Sequence, residues 1–194
     1  MVTVQIRPAR PADAAALAAL AAVTFPLACP PSSTAESISD FIARHLTRDR
    51  FADYLGDRDR TLLVAVADDA DDASWRGELD GTEGLVGWSM LIRTAGGVPA
   101  DEDAAAAVSG RPAVELSKMY AHPAAHGRGV AGELMEATLA EAANEGAAVV
   151  WLGVNEENAR AIRFYEKHGF RIVGSKTFTM GALTTVDHLR LRTL

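Results

Sequence analysis

Residues 126–135 read HGRGVAGELM, and within them GRGVAG is a literal match to G-x-G-x-x-G. That pattern is typical of dinucleotide-binding loops, in which a strand leads directly into the glycines and a helix follows them. A helix is predicted here, because apolar residues recur at helical spacing: Val130, Leu134, Met135, Leu139 and Ala142. The strand is not adjacent, since HPAAH separates Ala121 from Gly127. The sequence therefore argues against a dinucleotide site.

The remaining property of this loop is its ability to hold an anion. Gly127 and Gly129 remove Cβ atoms, so successive backbone N–H groups can converge on one phosphate. The helix that begins near Val130 adds its positive end, and Arg128 is a candidate outer charge. A glycine-rich turn without a ligand is the alternative, and the loop by itself does not decide between them.

Two flanking segments carry a more specific pattern. VELSKMYAHP precedes the loop as a predicted strand ended by Pro123, and NEENARAIRFYEKHGF follows one strand later. Together with the loop they resemble the GNAT superfamily of acetyl-CoA-dependent N-acetyltransferases. His126, Gly129 and Ala131 occupy the positions of that family's loop Gln/Arg-x-x-Gly-x-Gly/Ala, with His126 in place of the usual Gln or Arg. The later motif is matched by Asn158, Ala161, Tyr165, Gly169 and Phe170.

The resemblance implies an α/β (α+β) fold over a single acetyltransferase domain, residues 1–194. That fold has a central mixed, mostly antiparallel sheet of about seven strands, a splay between strands 4 and 5, and helices on both faces. Local patterns agree with it, since strands and helices mix along the chain. We predict a first strand in VTVQIRP, helices in PADAAALAALAAVTF and STAESISDFIARHL, and a loop over residues 96–112. Ser33 and Glu36 have capping-box spacing at the second helix.

The resemblance also implies how acetyl-CoA is held. By position, the backbone of Met119 and Ala121 would pair with the pantetheine arm. The diphosphate would lie on the backbone amides of Gly127, Arg128, Gly129, Val130 and Ala131. His126, which precedes these amides, is the residue of the loop that departs from the family pattern. Asn158 would contact the arm from the other side.

Amide formation from an amine needs a base for the amine proton and an acid for the leaving thiolate. Tyr165 resembles the family's general acid, and a phenol with a pKa near 10 stays protonated at neutral pH. Glu115, on the strand before the loop, is the candidate base, with a surface or ion-paired glutamate as the alternative reading. His122, at the end of that strand, is a second candidate.

Composition limits the partners. The chain has 194 residues and a net charge of −7, which argues against nucleic acids and anionic membranes. The lone cysteine, Cys29, excludes an internal disulfide and a multi-cysteine metal site, so we expect no metal centre. The apolar run at residues 14–29 has Asp13 before it and follows a strand, so we interpret it as a core helix of a cytoplasmic protein. The sequence is compatible with a homodimer.

Three functions follow from these features. The first is acetyl transfer from acetyl-CoA to a primary amine of a small molecule or peptide, by direct attack in a ternary complex. The second is an acyl-CoA-binding regulatory module with a degenerate active site. The third, a dinucleotide-dependent oxidoreductase, rests on GRGVAG alone. For the acceptor, the helix layout loosely resembles the polyamine acetyltransferase branch, with aminoglycosides, amino acids, peptide N-termini and other small amines as alternatives.

Overall fold

The computed structural model of the chain describes residues 3–68, 75, 79–99, 101–180 and 183–194. Its centre is a seven-stranded sheet in the order β1-β2-β3-β4-β5-β7-β6. The strands are β1 (Val4–Pro8), β2 (Arg60–Ala67), β3 (Leu85–Arg93), β4 (Ala113–Ala121), β5 (Val149–Asn155), β6 (Arg171–Met180) and β7 (Leu183–Thr193). All neighbours are antiparallel except β4 and β5, which run parallel. The predicted mixed, mostly antiparallel sheet is confirmed.

Six α-helices cover the two faces of this sheet. They are α1 (Ala14–Thr24), α2 (Ala35–His45), α3 (Arg48–Gly56), α4 (Glu102–Val108), α5 (Val130–Asn144) and α6 (Ala159–Lys167). Neighbouring residues of β3 show the two sides, because successive side chains in a strand point in opposite directions. Trp88 packs in the same cluster as α1 and α3, whereas Ser89 bonds Thr138 of α5 with 2.7 Å between the hydroxyl oxygens. Helices on both faces are confirmed.

The apolar N-terminal helix belongs to the core. Residues 11–28 have the length and composition of a membrane span. In the fold this segment is a 3₁₀ turn, α1 and a second 3₁₀ turn, Phe25–Ala28. Leu17, Leu20 and Ala21 of α1 are fully buried against β2, β3 and α3. Packing inside the domain therefore accounts for the apolar composition of α1, as predicted.

Two local predictions were wrong. The N-cap of α2 is Thr34 rather than Ser33, since the Thr34 hydroxyl accepts from the Ser37 backbone N–H at 3.1 Å. Residues 96–112 are not all loop, because they contain α4. Asp101 caps this helix by accepting from the Ala104 N–H at 2.9 Å. With seven residues, α4 is shorter than the window of about 11–18 residues over which apolar periodicity identifies a helix.

Helix α5 follows its predicted pattern. Its inward residues, Val130, Leu134, Met135, Leu139 and Ala142, are all buried. They hold the helix across the sheet, with its N-terminus beside the end of β4. This packing places the glycine loop at the mouth of the opening between β4 and β5.

Candidate active site

The strands β4 and β5 separate partway along their length. Their parallel pairing covers only residues 113–115 of β4 and 149–151 of β5. Beyond that point Met119 of β4 and Gly153 of β5 line a cavity between the strands. The predicted splay between the fourth and fifth strands is therefore confirmed.

A β-bulge in β4 sets the direction of the side chains at the splay. Lys118 and Leu116 pair with consecutive residues of β3, which leaves Ser117 as the extra residue. Residues four apart in a regular strand share a face, but Leu116 packs with α5 and Tyr120 with α1 and α3. The extra residue shifts this alternation by one and so turns Tyr120 toward α1.

The backbone of β4 presents free edges to the splay. The His122 N–H donates to the Val86 carbonyl of β3 at 2.9 Å. Hydrogen-bonded pairs alternate along an antiparallel ladder, so the N–H and C=O groups of Met119 and Ala121 point away from β3. Both residues predicted to hold the pantetheine arm thus turn their polar backbone groups into the opening.

His126, the position that departs from the family pattern, contacts this edge. Its Nε2 lies 3.2 Å from the Ala121 carbonyl oxygen, and a carbonyl only accepts, so Nε2 carries the proton of this bond. Burial and the charge of Arg160 lower the pKa of His126, which favours the neutral ring. The imidazole therefore closes the open carbonyl that a strand-like ligand would meet.

The glycine loop has the conformation of an anion cradle. Gly127 and Gly129 have φ values of +76° and +91°, a region that L side chains rarely adopt. A Cβ on Gly127 would meet no heavy atom within 4 Å, so the space above the loop is open. Val130 is fully buried and anchors the start of α5, whereas Ala131 lines a cavity. At the start of α5 the N–H groups of Gly132 and Glu133 donate to the Gly129 carbonyl at 2.9 and 3.1 Å, so Gly129 closes the first turn of the helix.

Arg128 is held beside the loop by an aromatic ring. Its guanidinium lies 4.7 Å from the centroid of Trp75, which is buried. This cation–π contact keeps a positive charge at the cradle while it restricts the side chain. The structure thus places the Arg128 guanidinium, the predicted outer charge, beside the glycine loop.

Asn158 connects α6 to the N-terminal region. Its Oδ1 accepts from the Ala161 N–H at 3.0 Å and caps α6, and its Nδ2 donates to the Ala28 carbonyl at 3.4 Å. The side chain also lines the opening between the strands. Its capping bond fixes its position, so that any contact with a ligand is preorganised.

Two cavities meet at the splay. The loop cavity, about 140 Å³, is lined by His126, Ala131, Arg160 and the residues around them. The β7 cavity, about 180 Å³, extends between α2, β6 and β7. The two share the residues Ala28, Met119, Tyr120, Asn158, Ala161 and Tyr165.

Tyr165 occupies this junction. It lies on α6 and packs edge-to-face against Phe170, with ring centroids 5.7 Å apart. Burial raises the pKa of Tyr165, so the phenol keeps its proton at neutral pH. The structure thus places the predicted acid where both cavities open.

Glu115 is not brought to the junction. It is the last β4 residue paired with β5, opposite Trp151, at the closed end of the splay. Neither cavity has it in its described lining. Its nearest link to the cavities is Lys118, whose pKa is lowered by burial and raised by the charge of Glu115. Lys118 lines the β7 cavity and donates to the Ser117 carbonyl at 3.2 Å.

His122, the second candidate base, has a structural contact instead. It is buried at the end of β4, and its Nδ1 accepts from the Ala124 N–H at 3.2 Å. That bond caps the 3₁₀ turn Pro123–Ala125, which leads into the loop. His122 thus helps to orient the cradle.

Sequence reasoning missed the part of the β7 cavity that the strands β4, β6 and β7 form. Tyr120, directly before Ala121, faces it, and burial raises the Tyr120 pKa. Asp187 of β7 and the rings of Phe25, Phe41 and Phe178 complete the wall. The only available signal was alternation in TTVDHLRLRTL, which gives a strand face but not its neighbours.

Comparisons with known proteins agree with this geometry. Residues 37–170 match the model of the acetyltransferase (GNAT) family. Uncharacterized N-acetyltransferases of Mycobacterium bovis and Mycobacterium tuberculosis are 44% identical over 174 residues, covering 90% of this chain and 93% of theirs.

Solved structures share the fold at low identity. The PaiA N-acetyltransferase of Thermoplasma acidophilum, solved with coenzyme A, has a TM-score of 0.73 at 17% identity and covers 99% of both chains. A ribosomal-protein-alanine N-acetyltransferase of Brucella melitensis has a TM-score of 0.66 at 19% identity, covering 98% of this chain and 99% of that one.

The chain belongs to the GNAT acetyltransferase family, an assignment carried by the family match and by the mycobacterial relatives. It is an acetyltransferase that uses acetyl-CoA as its acetyl donor. The described residues fit that cosubstrate, since Met119 and Ala121 of β4 line the same cavity as His126 and Ala131, which flank the glycines of the loop. The family resemblance inferred from the motifs is confirmed.

Proposed function

We propose that this protein transfers the acetyl group of acetyl-CoA to a primary amine of a small molecule or peptide by direct attack in a ternary complex. The observation that carries the proposal is the position of Tyr165, which is shared by the two cavities. A donor in the loop cavity and an acceptor in the β7 cavity would meet at this phenol. The proposal takes residues 1–194 as one acetyltransferase domain of a cytoplasmic enzyme.

The loop cavity would hold the donor mainly through backbone groups. The edges of Met119 and Ala121 would pair with the pantetheine arm, and the amides from Gly127 to Ala131 would receive the diphosphate. Arg128, held over Trp75, would add positive charge, and Asn158 would border the arm on the α6 side. The His126 bond to Ala121 would give way to, or share its acceptor with, the incoming arm.

Proton transfers at the leaving sulfur and at the acceptor nitrogen complete the proposed reaction. The phenol of Tyr165 donates its proton to the sulfur that leaves the acetyl group. The acceptor's ammonium gives up a proton before attack, and Glu115 is the proposed base. Because Glu115 lies behind Lys118, the proton would pass through the Lys118 amine or a water beside it. As the amide forms, the nitrogen of the tetrahedral intermediate loses its second proton, which restores the Tyr165 phenol, and Glu115 releases the first proton to solvent.

Direct attack is favoured over an acetylated enzyme. A thiol nucleophile for a two-step route would be Cys29, which lines this cavity and donates to the Phe25 carbonyl with 3.5 Å between sulfur and oxygen. Burial raises the pKa of Cys29 to about 11, so little thiolate forms at neutral pH.

The test is a turnover screen with acetyl-CoA and amines of different classes, read as CoA release and as acetylated product by mass spectrometry. The proposal expects release that depends on an amine and initial-rate patterns that intersect rather than run parallel. Stabilisation by CoA without turnover of any amine would support the acyl-CoA-binding module instead. Stabilisation by NAD(P) but not by acetyl-CoA would contradict both.

A further inference from the structure

Asp187 is a buried carboxylate that the proposed chemistry does not use. It is 9% exposed, lies on β7 and lines the β7 cavity. Its Oδ1 has no hydrogen-bond partner among the described residues. Burying an ionisable group without full hydrogen bonding is costly, so a carboxylate kept in this state indicates a partner that arrives with the ligand.

Within the described part of the chain, no cationic side chain is hydrogen-bonded to Oδ1 of Asp187. Lys176, on the paired strand β6, lowers the pKa of Asp187, but its ammonium is bonded to Asp101 at 3.3 Å. Asn155 of β5 and His188 also lower this pKa, whereas burial, the largest effect, raises it. The net direction is upward, which a bound cation would reverse.

The same face of β7 continues as an apolar wall. Leu183, Thr185 and Asp187 are spaced by two residues, so their side chains share one face, and all three line the cavity. Phe178 of β6 pairs with Thr185, and its ring lies 6.3 Å from that of Phe41. Phe41 in turn stacks on Phe25, with centroids 4.5 Å apart. An aromatic box therefore occupies the end of the cavity away from β5.

The Asp187 end of this β7 face lies toward the junction of the two cavities, where acetyl transfer is proposed. Asp187 pairs with Asn155, which ends β5 at the splay. Tyr120, Tyr165 and Asp187 all line the β7 cavity, and burial, together with the Asp187 carboxylate, raises the pKa of Tyr120. The three groups therefore surround one region, and a nitrogen held by Asp187 lies beside the junction of the two cavities.

We infer that the β7 cavity takes a monocationic amine with an aromatic or bulky apolar body, whose ammonium donates to Asp187 and whose body packs among Phe25, Phe41 and Phe178. The inference rests on the proposed function and specifies its acceptor. Asp187 is the one carboxylate in the described lining of this cavity, which favours one positive charge over several. Polyamines and aminoglycosides, which carry several, fit this wall less well.

Binding tests the inference without turnover. N,N-dimethyl-2-phenylethylamine carries one ammonium and cannot be acetylated to a neutral amide, and 2-phenylethanol has a similar shape without the charge. In the wild-type protein loaded with CoA, the amine should bind about tenfold to a hundredfold more tightly, the range of a charge-assisted hydrogen bond. In Asp187→Asn this preference should disappear. Equal affinities in the wild type, or an unchanged preference in the variant, would overturn the inference.

Measurements of turnover are the second part of this test. With 2-phenylethylamine, Asp187→Asn should raise KM at least about tenfold while KM for acetyl-CoA stays within about twofold. Asp53→Asn, an exposed carboxylate of α3, is the matched control. A thermal melt and the KM for acetyl-CoA check that each variant is folded. Phe178→Leu tests independently whether the apolar body of the amine packs among the aromatic rings.

A higher kcat/KM for spermidine than for 2-phenylethylamine would contradict the assignment of a monocationic acceptor. If no amine turns over, the proposed function fails, while the binding arm still tests Asp187.

Discussion

The loop cavity and the β7 cavity share Tyr165 but are assembled in different ways. The loop cavity takes its key groups from β4, the glycine loop and α6, and many of these groups are backbone amides and carbonyls. The β7 cavity gathers side chains from Phe25 near the N-terminus to Asp187 near the other end of the chain. Backbone geometry can be encoded by short local motifs, whereas a wall of distant side chains needs the completed sheet. The first region is thus suited to a constant donor and the second to a particular acceptor.

The largest effect is expected at the residue common to both regions. Tyr165→Phe removes the proton donor but keeps the ring, so kcat should fall about 10²–10⁴-fold while both KM values stay near wild type. Steady-state kinetics with acetyl-CoA and an amine measure this. Tyr54→Phe is the matched control, because its hydroxyl donates to the His45 carbonyl at 3.1 Å, away from the cavities. A variant as active as wild type would remove Tyr165 from catalysis.

Glu115 tests whether a residue outside both cavities takes part. Glu115→Gln should lower kcat/KM about 10²-fold at pH 7 if it receives the amine proton. An aliphatic ammonium, with a pKa near 10, loses its own proton as the pH rises, so the deficit should shrink by pH 9. Exposed Glu102 of α4, changed to Gln, is the control. A deficit that stays constant with pH would indicate a structural role in positioning Lys118.

A substitution confined to the glycine loop tests whether the loop cavity and the β7 cavity act separately. Gly129→Ala forces a side chain into φ +91°, which should cost about 1 kcal/mol of folding free energy or more and distort the cradle. KM for acetyl-CoA should rise about tenfold, and KM for the amine should change little. Gly56→Ala, at the end of α3 where a Cβ meets nothing within 4 Å, is the control. Equal changes in both KM values would show that the two cavities are coupled.

The smallest effect concerns a reporter in the β7 cavity. With a pKa of about 11, Cys29 should react with iodoacetamide at pH 8 roughly tenfold more slowly than an ordinary thiol, because its thiolate fraction is low. The rate should rise as the pH approaches 11. An amine acceptor should slow the labelling further, whereas CoA alone should protect less. Equal protection by both ligands would argue against separate cavities.

The parts of the site that the sequence predicted are those with a local cause. The loop, the capping Asn158 and Tyr165 lie in segments whose spacing carries their role, and the structure places them around one opening. Glu115 shows the limit of this approach, because its strand position was predicted but its distance from the cavities depends on where β4 and β5 stop pairing. The bulge at Ser117 is equally invisible in the sequence, and it decides that Tyr120 faces α1.

The sequence by itself determined the family, the sheet class and the loop that we propose to bind the donor, because glycines with positive φ, a helix start and a capped α6 are local features of the chain. Only the tertiary structure decided the acceptor side. Asp187, Phe178, Phe41 and Phe25 become neighbours when β7 inserts between β5 and β6 and α2 packs across them. No local spacing relates these residues, since contacts between distant segments are fixed by strand order and packing. The same packing leaves a buried carboxylate near Tyr120, one oxygen of which has no hydrogen-bond partner among the residues that the structure describes.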